Sequence, residues 1–368
     1  MRRVETLYYT IDGVEPGARA ANSPDGLPVR RDTDEGQSLR NPAGYVPDDD
    51  LAAAINIAII LGRPLLVTGE PGTGKSELAA HLAHRLRLGK RIKVEVKSTS
   101  TSTELFYTFD SLRQFRDANL QDRLGKTGTQ KDGSWIRPYI TFQGLGLAIL
   151  RTHTADDPVV ERYWDEDRYG AFDGPKRSVV LIDEVDKAPR EMLNDLLNEI
   201  ELHYFRVMED EGRIVRLQHG LVPVVVITSN SEKNLPDAFL RRCIFHQLSF
   251  PDINAQDKEA SQKEVERIMS IVASRFEHYP TSCRLLTDAI DFMKELRSEK
   301  LGLAKPPATA ELLDWLSVLH EAGFERDDTL RKRSEMRTTL GALLKNADDL
   351  QVAEMRALKG WLDSDAGH

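Results

Sequence analysis

The chain has 368 residues, 40% apolar and 30% charged, a length for two to three domains and the composition of a globular protein. Its formal charge of -9 argues against whole-surface binding to nucleic acid. Cys243 and Cys283 stand far apart and outside any C-x-x-C pattern, which fits reduced thiols in a cytoplasm. No apolar core follows Arg2 and Arg3, so no secretory signal is expected. The apolar stretch Leu51–Leu61 is too short to span a bilayer.

Residues 1–44 hold six Arg and seven acidic residues among Gly and Pro, with no apolar periodicity. A disordered tail is expected, and not a basic arm. From Asp48, "DDDLAAAINIAIILG" offers acidic N-cap candidates, a helical apolar stripe and a terminal Gly62. Five apolar, β-branched runs follow at wide intervals: Pro64–Thr68, Ile92–Val96, Ser178–Ile182, Val222–Thr228 and Ile244–Phe250. Helical patterns separate most of them. Such near-continuous runs predict a parallel sheet buried on both faces, hence an α/β fold.

The stretch between the second and third runs is too long for a simple crossover. "STELFYTFDSLRQFRDANL" turns helical late, a polar tip "QDRLGKTGTQKDGS" follows, and "WIRPYITFQGLGLAIL" reads as a strand leading into a helix. Tyr163, Trp164, Tyr169 and Phe172 form either a partner-binding patch or an anchor for a loop on the core. After Pro251 the pattern is all-helical, over Asp257–Phe276, Ser282–Glu299, Thr309–Ala322, Thr329–Leu343 and Leu350–Leu362. The expected organisation is a tail over 1–44, an α/β domain over 45–250 with an insert over about 98–150, and a helical domain over 251–368.

Gly69-Glu70-Pro71-Gly72-Thr73-Gly74-Lys75-Ser76 matches the phosphate-binding loop pattern G-x-x-x-x-G-K-[ST], preceded by a strand and followed by a helix. Gly72 and Gly74 allow backbone N–H groups to turn toward phosphate oxygens, and the new helix N-terminus adds favourable partial charge. Lys75 would reach the β- and γ-phosphates of ATP, and the Ser76 hydroxyl would ligate Mg²⁺. In "SVVLIDEVDKA" a buried strand ends at Asp183-Glu184, on the sheet edge where ligands bind. Asp183 would hold Mg²⁺, and Glu184 would orient and deprotonate the attacking water. Asp186 and Lys187 suit a solvated ion pair as well as an intersubunit role.

"LVPVVVITSN" ends a third strand at Asn230, whose amide can bond the γ-phosphate and the lytic water. "PDAFLRRC" then presents Arg241 and Arg242, a pair suited to the phosphate of a neighbouring subunit. His81 and His84 share a helix face but lack further metal ligands.

These residues resemble the AAA+ ATPases, and within them the MoxR-like group that carries a helix-2 insert. The resemblance spans about 47–319 and rests on "GEPGTGKS", "VVLIDEVDKA", "VVVITSN" and "LPDAFLRRC" in order; the subgroup rests on the insert ending in "YITFQGLGLAIL". It implies a P-loop NTPase αβα sandwich whose five-stranded parallel sheet runs 5-1-4-3-2, with a helical lid. It also implies Walker A at Gly69–Ser76, Walker B at Asp183-Glu184, sensor 1 at Asn230 and an arginine finger at Arg242, with Arg241 the second choice. The resemblance further implies homo-hexameric rings with ATP sites between subunits. Their work is chaperone-like remodelling of a protein client, with a von Willebrand A-domain protein as a frequent partner.

One departure stands out. The lid region "GLAKPPATAELLDWLSVL" places Ala308 and Thr309 where the family carries a sensor-2 arginine, leaving Lys305 as the nearby cation. That gap motivates a second reading, a nucleotide-dependent switch with slow hydrolysis. A nucleic-acid motor is the third, since 85–137 holds twelve Lys/Arg against six Asp/Glu, including Lys126 and Lys131. The acidic total argues against it.

Overall fold

A computed structural model describes residues 41–123, 134–231, 235–276, 279–280, 283–331 and 334–363. Nearly all of the expected N-terminal tail, together with Lys126 and Lys131, lies outside the described residues. The chain divides into two compact units. One comprises Pro47–Gly69 and Lys75–Leu248, the other Met1–Val46, Glu70–Gly74 and Ser249–His368.

The first unit is α/β. Helix α1 (Asp49–Leu61) begins where the Asp48 carboxylate accepts a hydrogen bond from Leu51 N at 2.7 Å. It ends at Gly62, whose left-handed φ of 62° lets its N–H reach the carbonyls of Ala58 and Ile59. Strand β1 (Leu65–Thr68) leads into the glycine-rich loop and α2 (Lys75–Arg85), and β2 (Ile92–Glu95) follows. The insert holds β3 (Tyr107–Phe109), α3 (Ser111–Arg123), β4 (Ile140–Phe142) and α4 (Gly144–Leu150). Short helices α5 (Pro158–Tyr163) and α6 (Glu166–Tyr169) precede β5 (Val179–Asp183) and α7 (Arg190–Leu202). A hairpin, β6 (Tyr204–Val207) with β7 (Arg213–Arg216), comes before β8 (Val224–Ser229), α8 (Asp237–Leu240) and β9 (Ile244–Gln247).

The main sheet is parallel in the order β2-β5-β8-β1-β9. Counting only the five apolar runs, that order is 5-1-4-3-2, as the resemblance implies. Every residue of β1, β5 and β8 is buried, whereas the edge strands β2 and β9 alternate. The runs of Val, Ile and Leu are thus the signature of strands covered on both faces.

Two antiparallel pairs complete the unit, and of their four strands only β4 was expected, as the strand leading into a helix in "WIRPYITFQGLGLAIL". β3 pairs with β4, and β6 with β7. β3, β6 and β7 are three or four residues long, too short for a period to register. Asp210, 4% exposed at the tip of β6–β7, pins that hairpin. Arg162 donates to both its carboxylate oxygens at 2.6 Å, and Arg213 and the Tyr163 hydroxyl also bond it. Breaking such a buried pair costs about 3–5 kcal/mol. The aromatic cluster anchors its loop on the core. Tyr163 and Trp164 are buried, with Trp164 4.8 Å from Phe172 and 5.0 Å from Tyr169 between ring centres.

The second unit is built on α9 (Lys258–Ala273), α10 (Arg284–Leu296) and α11 (Thr309–Glu321), packed around Phe292 and Trp315. The helix expected over Thr329–Leu343 is reduced to α12 (Met336–Thr339) and one 3₁₀ turn, Leu340–Ala342. The cause is a contact across the unit: Asp288 of α10 accepts from the Thr329 hydroxyl at 2.6 Å and from Leu330 N at 2.9 Å, anchoring the segment in a non-helical path. Ala347–Asp363 is helical, with a π-helical stretch over Ala353–Leu358. Among the described residues no helix is long and apolar enough to cross a membrane, and both cysteines are free.

One carboxyl in the α/β core is placed at a cost. Glu199 of α7 lines a cavity of about 20 Å³ with Phe106, Leu145 and Val225. Burial first, then the charge of Asp195, push its pKa from 4.5 up to about 7. The folded state therefore holds a proton that the unfolded chain releases, and stability falls as pH rises from about 4.5 to about 7. Glu199→Gln is expected to leave the melting temperature nearly unchanged at about pH 5 and to raise it at about pH 8. Thermal unfolding at the two pH values tests this, and an equal shift at both would rule it out.

Candidate functional site

The glycine-rich loop leaves the buried strand β1 at its C-terminal end. Gly69 takes φ 144°, and a Cβ there would stand 2.0 Å from the carbonyl oxygen of Leu248, so no other residue fits. Gly72 and Gly74 also have positive φ, 82° and 91°, the backbone a loop needs to wrap an anion. The Thr73 hydroxyl donates to the carbonyl of Glu70 at 2.9 Å. Lys75 opens α2 almost fully buried, and its ammonium donates to the Gly69 carbonyl at 2.8 Å. The loop is thus folded around its own cation, which a phosphate would take over.

The Ser76 hydroxyl donates to Asp183 Oδ1 at 2.6 Å, joining the first turn of α2 to the end of β5. The Thr228 hydroxyl donates to the same oxygen at 2.7 Å and accepts from Glu184 N at 2.9 Å. The Lys93 ammonium lies 2.9 Å from Asp183 Oδ2. Burial alone would raise the Asp183 carboxyl. The hydrogen bonds from Ser76, Thr228 and Lys93, with the Lys93 charge, outweigh it and hold the pKa below the usual carboxylate range. A hydroxyl and a carboxylate this close, at the end of a phosphate-type loop, fit Mg²⁺, which takes one or two protein oxygens beside phosphate and water. Such an ion would share the carboxylate with Lys93.

Glu184 has left-handed backbone, φ 60° and ψ 48°, at the turn out of β5. Non-glycine residues hold that conformation at a cost and concentrate at functional sites. Its carboxylate is engaged by Lys187 in an ion pair. Asn230 is exposed just past β8, and its backbone N–H donates to Asp186 at 3.2 Å. Arg241 is exposed. Arg242 is half-buried, and its Nε donates to Glu201 of α7 at 3.0 Å while Nη1 donates to Ala238 O at 3.2 Å. Arg242 lines a cavity of about 140 Å³ with Glu201, His203, Cys243 and Arg63. It opens beside Pro64, at the opposite end of β1 from the glycine-rich loop. Burial pushes the Cys243 thiol up to about 12, so it is no nucleophile. His81 and His84 sit on α2, and no cluster of three metal-ligating side chains exists among the described residues.

Within the helical unit, the loop segment Glu70–Gly74 meets the start of α11. Ala310 N donates to Gly72 O at 3.0 Å, and a Cβ on Gly72 would fall 3.2 Å from the Ala308 methyl. Ala308 has no side-chain acceptor. The carboxylate of Glu311 caps its N–H at 3.0 Å and comes within 2.9 Å of that same Cβ position. The cation expected here is therefore replaced by a methyl group with a carboxylate behind it. Lys305 is held through its backbone N–H, which donates to Asp349 at 2.9 Å. Arg297, at the end of α10, is the cation that approaches the loop. Its guanidinium lies 4.1 Å from the Phe250 ring centre, donates to Pro307 O at 2.8 Å and stands 3.5 Å from the Glu70 carboxylate. Lys93, Glu201 and Arg297 carry no motif, so only the fold reveals them, whereas the ion pair expected at Lys187 is found with Glu184.

Residues 64–243 match the family model of the AAA domain (dynein-related subfamily). No curated protein matches the chain. Similar solved structures include NtrX from Brucella abortus in complex with ADP, at 15% identity and TM-score 0.42, covering 81% of this chain and 57% of that one. A point mutant of RuvB from Thermotoga maritima is 16% identical with TM-score 0.41, covering 86% and 73%. The FIGL-1 AAA domain in complex with ADP is 12% identical with TM-score 0.37, covering 86% and 89%. This chain thus spans 57% of the NtrX chain it matches. By family match and strand order, residues 64–243 are similar to the AAA domain (dynein-related subfamily), and the α/β unit is an AAA+ ATPase-like nucleotide-binding domain with the P-loop NTPase fold.

Proposed function

We propose that the chain is a Mg²⁺-dependent ATPase that works as a ring of copies, six as in the MoxR-like group, to remodel a client protein. The observation that carries the hydrolytic part is the Ser76–Asp183 hydrogen bond, because it puts the end of the phosphate loop and the acidic strand end at one point. In this reading residues 45–250 bind nucleotide and 251–368 form the lid. Gly69–Ser76 wrap the phosphates, Ser76 and Asp183 hold Mg²⁺, Glu184 activates water and Asn230 orients it. A cytoplasmic protein with a von Willebrand A-domain partner fits the same reading.

The finger is Arg242 rather than Arg241. Arg242 is already held in one orientation by Glu201 and Ala238, so a phosphate arriving from a neighbouring copy meets a preorganised group. The lid cation is Arg297 rather than Lys305, because Arg297 faces Glu70 of the loop. A slow switch is supported by two further contacts. Lys187 holds the carboxylate of Glu184, and Glu311 puts negative charge beside Gly72. A nucleic-acid track finds less support, since Lys93 and Arg113 are engaged by Asp183 and by the Pro138 carbonyl.

Binding and turnover in single variants test these assignments. Lys75→Ala is expected to abolish ATP binding. Glu184→Gln is expected to keep binding and lose turnover by about 100-fold or more. Equal turnover in Glu184→Gln and the parent would remove Glu184 from the reaction. Turnover per chain is expected to rise with protein concentration; in the assembled state Arg242→Ala is expected to lose it far more than Arg241→Ala. The reverse order would reassign the finger, and no dependence on concentration would exclude the ring. Arg297→Ala is expected to slow turnover more than Lys305→Ala at saturating ATP, which steady-state kinetics on the two variants decides.

A further inference from the structure

We propose that the N-terminal edge of the parallel sheet, opposite the phosphate loop, is a docking site for an acidic, apolar-flanked segment of a partner protein, with its carboxylate seated between Arg63 and Arg177. A cavity of about 300 Å³ lies there, lined by the last turn of α1, by Gly62 and Arg63, by Arg177 just before β5, and by Gly220 and Val222–Val224 at the entry to β8. Its lining contains two arginines and no acidic residue. Among the described residues neither arginine forms an ion pair with a carboxylate, and the Arg177 Nε is buried without an acceptor. A guanidinium nitrogen withdrawn from water and left unanswered costs free energy that an incoming carboxylate recovers. The neighbouring Arg242 differs, because Glu201 already satisfies it.

The second observation is apolar. Ile57, Ile60 and Leu61 are 46%, 80% and 55% exposed, and their i, i+3, i+4 spacing places them along one face of α1. Ile60 and Leu61 line the cavity itself, while Ile57 carries the face one turn beyond it. A free inorganic anion would satisfy the arginines and leave this face in water. A peptide that alternates acidic and apolar residues satisfies both, and an apolar surface beside arginine anchors is the usual make-up of a protein-binding hot spot. The argument for this site uses neither ATP hydrolysis nor ring assembly, so it stands or falls separately from the proposed function.

The test uses the full chain without nucleotide and a fluorescein-labelled twelve-residue peptide of alternating Leu and Asp, read by fluorescence anisotropy. Saturable binding is expected, weakened by about tenfold or more in the Arg63→Gln/Arg177→Gln double variant. Ile60→Ser, a change at an exposed position that leaves the core intact, is expected to weaken it as well. Lys75→Ala is expected to leave it unchanged. The proposal is overturned if the double variant binds as the parent does. It is also overturned if inorganic phosphate displaces the peptide while Ile60→Ser has no effect, which would make the site a simple anion pocket. Loss of self-association in the double variant, seen by sedimentation without peptide, would assign the surface to a second copy of the chain and overturn it too.

Discussion

The Asp183 carboxylate lies at the end of a strand buried along its whole length, yet it stays ionised. Two hydroxyls donate to one of its oxygens and an ammonium lies against the other. Without those donors, burial would favour the protonated acid, which cannot attract a divalent ion. The three come from three separate elements: Ser76 from the first turn of α2, Thr228 from β8 and Lys93 from the edge strand β2. The carboxylate therefore fixes where the glycine-rich loop ends relative to the sheet. Thr228 also binds Glu184 N, so one side chain sets the position of both acidic neighbours. Because the pKa is depressed, this bonding stabilises the fold above the ordinary carboxylate range and is lost as pH falls through the folded-state pKa.

The motif-bearing half of the site was legible in the sequence because its chemistry constrains residue type at fixed spacing. Gly69 tolerates no side chain, and Asp183 follows four consecutive buried apolar positions, Val179–Ile182. The three central strands were legible for a related reason, since burial on both faces forces a near-continuous apolar run, and the edge strands β2 and β9 showed as β-branched runs at the same kind of spacing. Side chains that act by meeting across the fold were not. Nothing near Lys93 distinguishes it from a solvent-facing lysine on a half-exposed strand, and only the pairing of β2 with β5 brings it to Asp183. Arg297 likewise reads as a helix-ending charge until Phe250 and Glu70 are seen beside it. The helix expected over Thr329–Leu343 failed because Asp288, far upstream in the chain, competes for its first backbone groups.

The polar groups of the glycine-rich loop answer one another and the residues beside them. The Lys75 ammonium turns back to the Gly69 carbonyl, the Gly72 carbonyl accepts from Ala310, and Glu70 faces Arg297. Each contact is one that a triphosphate would have to displace, and each group released would be answered by a phosphate oxygen or by water. Glu311 adds negative charge beside Gly72. Arg297 offsets that charge from the same unit. Glu311 and Arg297 thus place opposite charges beside the loop from one unit.

The two ends of the same short strands carry opposite electrostatic problems. At the C-terminal end, carboxylates are concentrated and hydroxyls and lysines have been recruited to hold them. At the N-terminal end, Arg63, Arg177 and Arg242 gather with Glu201 as the one acidic residue in the two cavity linings. Strand β1 separates those ends by only four residues, about 13 Å. It is bonded on both sides, to β8 and β9, along its whole length. Leu61 and Arg63 belong to both cavities, and Arg63 is joined to Gly69 by Pro64 and that fully paired strand. A segment seated on Arg63 would therefore press on the element that carries the phosphate loop, through covalent chain and a hydrogen-bonded ladder. Coupling between the two edges then requires only that β1 have two settings against its neighbours, and its central place in the sheet limits those settings to small shifts.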